Sequence, residues 1–121
     1  MIIADTSVWI THFSRVDEDL VELMQKEVVI MHGFILLELS CGNLKNRNRA
    51  LGDLKQLPSV DPVDFVETAD FIDKYSLYGL GLGLVDINIL ATCRKNSLYV
   101  YTHDLALKRQ AQRLKLFSFR S

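Results

Sequence analysis

Proline and cysteine are both scarce in this chain: 121 residues hold two of each, Pro58 and Pro62, Cys41 and Cys93. The prolines bracket a single turn, and no Pro-rich linker divides the chain. Two cysteines do not suggest a disulfide framework. Each lies in an apolar helical pattern and reads as a small buried hydrophobe. Long apolar runs are also missing, and no stretch approaches the roughly 18 residues that a membrane helix needs. Asp5 comes too early for a signal peptide, and no basic segment precedes an apolar core. Together these absences lead us to expect a cytoplasmic protein.

Several kinds of chemistry are excluded in the same way. There is no CxxC, and His12, His32 and His103 share no zinc spacing. Gly79-Leu80-Gly81-Leu82-Gly83 is glycine-rich but lacks the phosphate-loop register, and it reads as a flexible turn. Ser7 and Ser40 have no evident histidine base, which argues against nucleophilic hydrolysis. His103 reads as a strand-end surface residue rather than a general base.

What is present is ordinary in amount and uneven in place. The composition is 49% hydrophobic and 24% charged, with a net charge of −1, so nucleic-acid contacts must come from local patches. Residues 94–121 hold seven of the 14 Lys and Arg (Arg94, Lys95, Lys108, Arg109, Arg113, Lys115 and Arg120) and one acid, Asp104. Lys45, Arg47 and Arg49 form a second basic group. Each patch reads either as a solvated helix face or as a phosphate-attracting rim.

Short apolar runs alternate with helical patterns. Strands are expected at 1–4, 28–31, near Val60, at 98–101 and at 115–119. Helices are expected at 6–14, 17–26, 33–42, 45–57, 62–77, 84–96 and 104–113. In the helix at 62–77, Phe65, Ala69 and Ile72 line the expected apolar face. Asp61, Asp64, Glu67, Asp70 and Asp73 recur every third residue on the other, a solvated face rather than a metal site. The alternation predicts βαβ units with right-handed crossovers, a mainly parallel sheet and a single domain over 1–121.

Four acids stand out against this frame. Asp5 and Asp104 each follow a short strand, Asp86 opens a helix, and Glu38 is isolated in Phe34-Ile35-Leu36-Leu37-Glu38-Leu39. Each has a plain alternative: helix caps for Asp5 and Asp104, a macrodipole partner for Asp86, a narrow exposed stripe for Glu38. A parallel sheet binds ligands at the carboxyl ends of its strands, where all four could meet. Crowded carboxylates call for a cation between them, and a hard divalent ion such as Mg²⁺ suits oxygen ligands.

The local motifs also carry a resemblance. Ala4-Asp5-Thr6-Ser7-Val8-Trp9, Leu36-Leu37-Glu38-Leu39-Ser40-Cys41-Gly42, the run Gly81 to Ala91 around Asp86, and Thr102-His103-Asp104 with Leu107 follow in the order found in PIN-domain ribonucleases. The chain resembles the VapC toxins of VapBC toxin–antitoxin pairs. Asn88 and His103 fall at positions that vary in that pattern. The resemblance implies a three-layer α/β domain with a central five-stranded, mainly parallel sheet flanked by helices. It implies an endoribonuclease dependent on Mg²⁺ or Mn²⁺, with Asp5, Glu38, Asp86 and Asp104 as catalytic, metal-holding acids and Thr6 and Thr102 as orienting hydroxyls. It further implies a homodimer and a VapB-type antitoxin that blocks the acidic cleft. Two alternatives stay open: a non-catalytic RNA- or partner-binding module, and a phosphohydrolase. The second would want a D-x-D pair, and position 7 is Ser.

Overall fold

The computed structural model describes residues 1–117. In chain order the elements are β1 (Ile2–Ala4), α1 (Thr6–Ser14), α2 (Glu18–Gln25), β2 (Val29–His32), α3 (Gly33–Cys41), α4 (Arg47–Leu54), β3 (Ser59–Val60), α5 (Phe65–Tyr75), α6 (Leu84–Asn96), β4 (Tyr99–Tyr101) and α7 (Leu105–Arg113). The strands form one sheet in the order β3-β2-β1-β4, and every pairing is parallel. Ile3 lies beside Ile30 on one side and Val100 on the other. Ile3, Val29, Met31 and Val100 are all buried, as expected of short apolar strands covered on both faces. Trp9, on the first helix, packs beneath β1 and donates its indole N–H to the Ala4 carbonyl at 3.1 Å.

The chain leaves β1 toward β2 and β3 and then returns to place β4 on the other side of β1. The strand order therefore reverses between β1 and β4. In a parallel sheet that is where a crevice opens at the carboxyl ends of the strands. Asp5 follows β1, and Thr102-His103-Asp104 follows β4.

Four strands, rather than five, occur among the described residues. The expected strand at 115–119 runs into residues 118–121, which lie outside the described residues, as does Arg120 of the basic group. Lys115 to Phe117 carry no strand, although the Val100 N–H donates to the Leu116 carbonyl at 2.8 Å along the outer edge of β4. On α5 the buried residues are Thr68 and Phe71, while Phe65 is 88% exposed, so the expected Phe65-Ala69-Ile72 face is rotated. The reason is polar: Thr68 points inward because its hydroxyl accepts a buried hydrogen bond from Asn88. Cys93 is buried as expected, but Cys41 is exposed in the last turn of α3. The acids at 61, 64, 70 and 73 are exposed and Glu67 is half-buried, consistent with a solvated face. Among the described residues no helix is long and apolar enough to cross a membrane.

The α6 helix stops at Ser97, which adopts a left-handed backbone with φ 56° just before β4. An L side chain is strained there and glycine is not. Ser97→Gly should therefore raise unfolding stability by about 1 kcal/mol, read as a shift of the urea midpoint at unchanged slope. A midpoint at or below that of the parent would contradict the strain.

Candidate active site

Asp5 forms the floor of the crevice. It is 4% exposed, and its backbone N–H donates to the Tyr101 carbonyl at 3.0 Å, which ties the end of β1 to β4. One carboxylate oxygen, Oδ1, receives the Ser7 hydroxyl at 2.6 Å and the Val8 N–H at 3.3 Å. The other, Oδ2, receives the Thr102 hydroxyl at 2.6 Å. The Thr102 oxygen in turn accepts the Asp104 N–H at 3.0 Å, and the Ser7 oxygen accepts the His103 N–H at 3.1 Å. Two hydroxyls thus stitch the loop after β1 to the loop after β4.

Capping and site formation are not rival roles here. Asp5 caps α1, and Asp104 caps α7 by accepting the Leu107 N–H at 2.8 Å. A carboxylate has two oxygens and about four acceptor positions, so one cap bond leaves capacity for other partners. Asp86 lies half-buried in the first turn of α6, behind its cap residue Gly83.

Glu38 departs from expectation. It is exposed rather than sunk among apolar side chains, because α3 buries only Ile35 and Leu39 and leaves Leu37 59% exposed. Its Oε1 receives the Thr6 hydroxyl at 2.6 Å, so α1 reaches across to hold it. The acids therefore grade from the buried Asp5 through the half-buried Asp86 to Glu38 and Asp104 at the exposed rim.

Their fields overlap. Burial pushes the Asp86 carboxyl up to about 6, and the charges of Asp5, Asp104 and Glu38 push in the same direction. Burial also raises Asp5, against the hydroxyls of Ser7 and Thr102 and the Val8 N–H, which favour its ionised form; Asp104 adds a further upward push. Among the described residues, no three His, Cys, Asp or Glu side chains are already gathered into a metal cage. The acids share a field rather than a closed coordination shell. As a donor set they suit a hard divalent cation: all are carboxylates, and the crowding that raises Asp86 is what a bound cation relieves.

The order of these elements and the acids at the strand ends match a known pattern. A family model described as PIN domain matches residues 2–112. The chain belongs to the PIN-domain family. It is similar to "Ribonuclease VapC32" of Mycobacterium tuberculosis, in strains CDC 1551 / Oshkosh and ATCC 25618 / H37Rv. Identity to each is 35% over 109 residues, covering 89% of this chain and 88% of the relative. Among solved structures it is similar to a chain in the structure of FitAB bound to a DNA fragment. The TM-score is 0.65 at 20% identity, over 93% of this chain and 91% of that one, a likeness of fold.

In this PIN domain the sequence pattern had missed Ser7, which orients Asp5 rather than acting as a nucleophile. The available signal was a hydroxyl two residues after a capping Asp, a spacing at which a side chain closes on its own turn. Asp17 was missed as well. It caps α2, and its carboxylate receives the Tyr101 hydroxyl at 3.1 Å and faces His103 Nε2 at 2.7 Å. Burial opposes its ionisation, but the Leu20 N–H, His103 and Tyr101 outweigh that and hold its carboxyl below the ordinary value. His103 is therefore a half-exposed partner of Asp17. Asn88 is a core residue at 3% exposure. Of the basic candidates, Arg47 spends its guanidinium on the Ser40 carbonyl at 2.9 Å, and Lys108 lies over the Phe117 ring. Lys45, Arg49 and Arg109 are exposed.

A raised carboxyl value means that the folded PIN domain holds the Asp86 proton more tightly than the unfolded chain does. Ionising it therefore costs stability. The cost is absent below the ordinary value of 3.8, grows up to about 6 and is full above that. Asp86→Asn should match the parent's melting temperature near pH 3.8 and exceed it from about pH 6 upward. Parallel melting curves across that window would show that Asp86 is not crowded.

Proposed function

We propose that this PIN domain is a metal-dependent endoribonuclease that hydrolyses RNA phosphodiesters and acts as the toxin of a VapBC-type pair. The observation that carries this reading is that Asp5 and Asp104 follow the two strands at the strand-order reversal, where their charges and that of Glu38 all act on Asp86. The similarity to curated ribonucleases supports it.

Asp5, Asp86 and Asp104 would hold a Mg²⁺ or Mn²⁺ ion, and Glu38 would support it directly or through a water. When bound, such an ion lowers the pKa of a coordinated water and stabilises the charge that builds up on the scissile phosphate. The protein's own groups do the rest. Thr102 and Ser7 fix the orientation of Asp5. Thr6 holds Glu38 toward the cleft from α1. An acidic floor repels RNA, so flanking phosphates need cations nearby, and Arg49, Arg109 and the rim around them are the candidates. No serine or cysteine nucleophile is required, because water attacks.

The cavity between α5 and α6, about 260 Å³ and lined by Val63, Phe71, Ala91 and Arg94, contains none of the four acids. The same reading brings a VapB-type antitoxin as the protein partner, a homodimer as the assembly and the cytoplasm as the compartment.

The test is cleavage of total RNA by the purified protein with Mg²⁺, with Mn²⁺ and with EDTA. Discrete metal-dependent fragments are expected. Asp5→Asn should lower the rate about a thousandfold or more, roughly 4 kcal/mol of transition-state stabilisation, while the circular dichroism spectrum is retained. Intact RNA in every lane from folded protein would favour a non-catalytic RNA- or partner-binding module instead.

Metal binding has a readout of its own. At a hundred times the dissociation constant, Mn²⁺ should stabilise the parent by about 2.7 kcal/mol and the Asp5→Asn variant by much less. Equal shifts in melting temperature for the two proteins would place the ion elsewhere.

A further inference from the structure

Behind the acidic cleft lies a chain of buried polar side chains that the proposed reaction does not use. His32 has no exposed surface and closes the turn from β2 into α3, its Nδ1 accepting the Phe34 N–H at 3.1 Å. A ring nitrogen that accepts carries no hydrogen, so in the neutral imidazole Nε2 is the donor. That N–H meets Asn88 Oδ1 at 2.9 Å. Asn88 extends the chain, donating from Nδ2 to the Val63 carbonyl at 3.0 Å and to the Thr68 hydroxyl at 3.1 Å. Thr92, also fully buried, donates to Asn88 Oδ1 at 3.2 Å and accepts the Val63 N–H at 3.3 Å. Among the described residues no buried side-chain nitrogen or oxygen lacks a partner.

Apolar side chains would fill this space without the desolvation cost of polar groups. A satisfied polar network adds direction, because each bond is made at one orientation only. The placement gives that direction a use. His32 is the residue before α3, which carries Glu38, and Asn88 lies two residues beyond Asp86 on α6. Positions two apart on a helix are about 200° apart around its axis, so Asp86 faces the cleft while Asn88 faces His32. The start of α3 is also closely packed: a Cβ on Gly33 would lie 3.3 Å from Pro62 Cδ and Cγ, in the segment that leads into α5.

The geometry points to Asn88, acting through His32, as a positioning residue that locks the start of α3 against α6 and so sets how Glu38 and Asp86 face each other. The inference rests on reading the cleft as the nuclease site. It adds a determinant outside the quartet, at a position where the pattern of acids carries no information.

The test compares Asn88→Leu, which removes the hydrogen bonds at similar volume, with Leu98→Ala, a buried truncation just before β4, at the opposite end of that strand from Asp104. His32→Gln, which keeps an acceptor and an N–H donor, is the conservative variant. Three quantities are measured well below each melting temperature: Mn²⁺ affinity by calorimetry, kcat and KM on an RNA substrate, and the amide NMR shifts of Glu38 and Asp86 without metal. Asn88→Leu should weaken Mn²⁺ binding about tenfold and lower kcat with KM little changed. It should also move both amide signals. Leu98→Ala should lose stability and keep all three, and His32→Gln should keep most of the parent's Mn²⁺ affinity. Parental values of all three in folded Asn88→Leu, or equal losses in Leu98→Ala, would overturn the inference. If Asn88→Leu does not fold, Thr68→Val removes one of the same bonds and is read by the same criteria. The NMR comparison needs no metal. It therefore decides the positioning even if the parent neither binds Mn²⁺ nor cleaves RNA, a result that would count against the nuclease reading alone.

Discussion

Everything at the carboxyl edge of the sheet depends on one buried carboxylate. Asp5 accepts from the hydroxyl of Thr102, the hydroxyl of Ser7 and the N–H of Val8, and so joins β1, α1 and the loop after β4. Burying an ionised carboxylate without partners would be prohibitive, and these donors offset that cost. The same bonds close the fold where its strand order reverses and aim the acid that forms the floor of the cleft. Fold and site share a group there, and an isosteric change such as Asp5→Asn separates the charge that the site needs from the shape that the fold needs.

Around that floor the protein tolerates repulsion. Asp86 is pushed up to about 6 by burial and by three other carboxylates, a conformation that a sequence selected only for stability would avoid. The surroundings compensate locally. Thr6 holds Glu38, Thr102 and the Leu107 N–H organise Asp104, and the Asp17 carboxylate braces the loop through Tyr101 and His103. Beneath this layer, the His32, Asn88, Thr92 and Thr68 network is fully satisfied and buried. The molecule thus keeps its unfavourable charge on the cleft side and its satisfied polar groups on the core side of the same helices.

Much of this was legible in the chain, for identifiable reasons. The strands at 1–4, 28–31 and 98–101 are short β-branched or aromatic runs, and the helices between them carry strong patterns, so their order could be read directly. Asp5 and Asp104 were visible because capping and strand-end placement leave a local signature. Glu38 was found for a partly mistaken reason: apolar neighbours suggested burial, but α3 turns Leu37 and Glu38 outward together. On α5 the assumption that apolar residues face inward failed, because Thr68 is drawn in by Asn88 and Phe65 is left exposed. Asp17 escaped notice because its partners Tyr101 and His103 are remote in sequence, whereas the local bond from Ser7 to Asp5 was there to be read.

The sequence by itself determined the alternation of strands and helices and the supply of four carboxylates, two of them directly after strands. These are local properties, written in periodicity, capping and residue type. Only the tertiary structure decided that β4 returns beside β1, and hence that Thr102 meets Asp5 across 97 residues of chain. It also decided which acids are buried and which form the rim, and that His32 and Asn88 meet. Periodicity tells which face of an element is buried but not which element covers it. Those choices belong to the packing of the whole sheet.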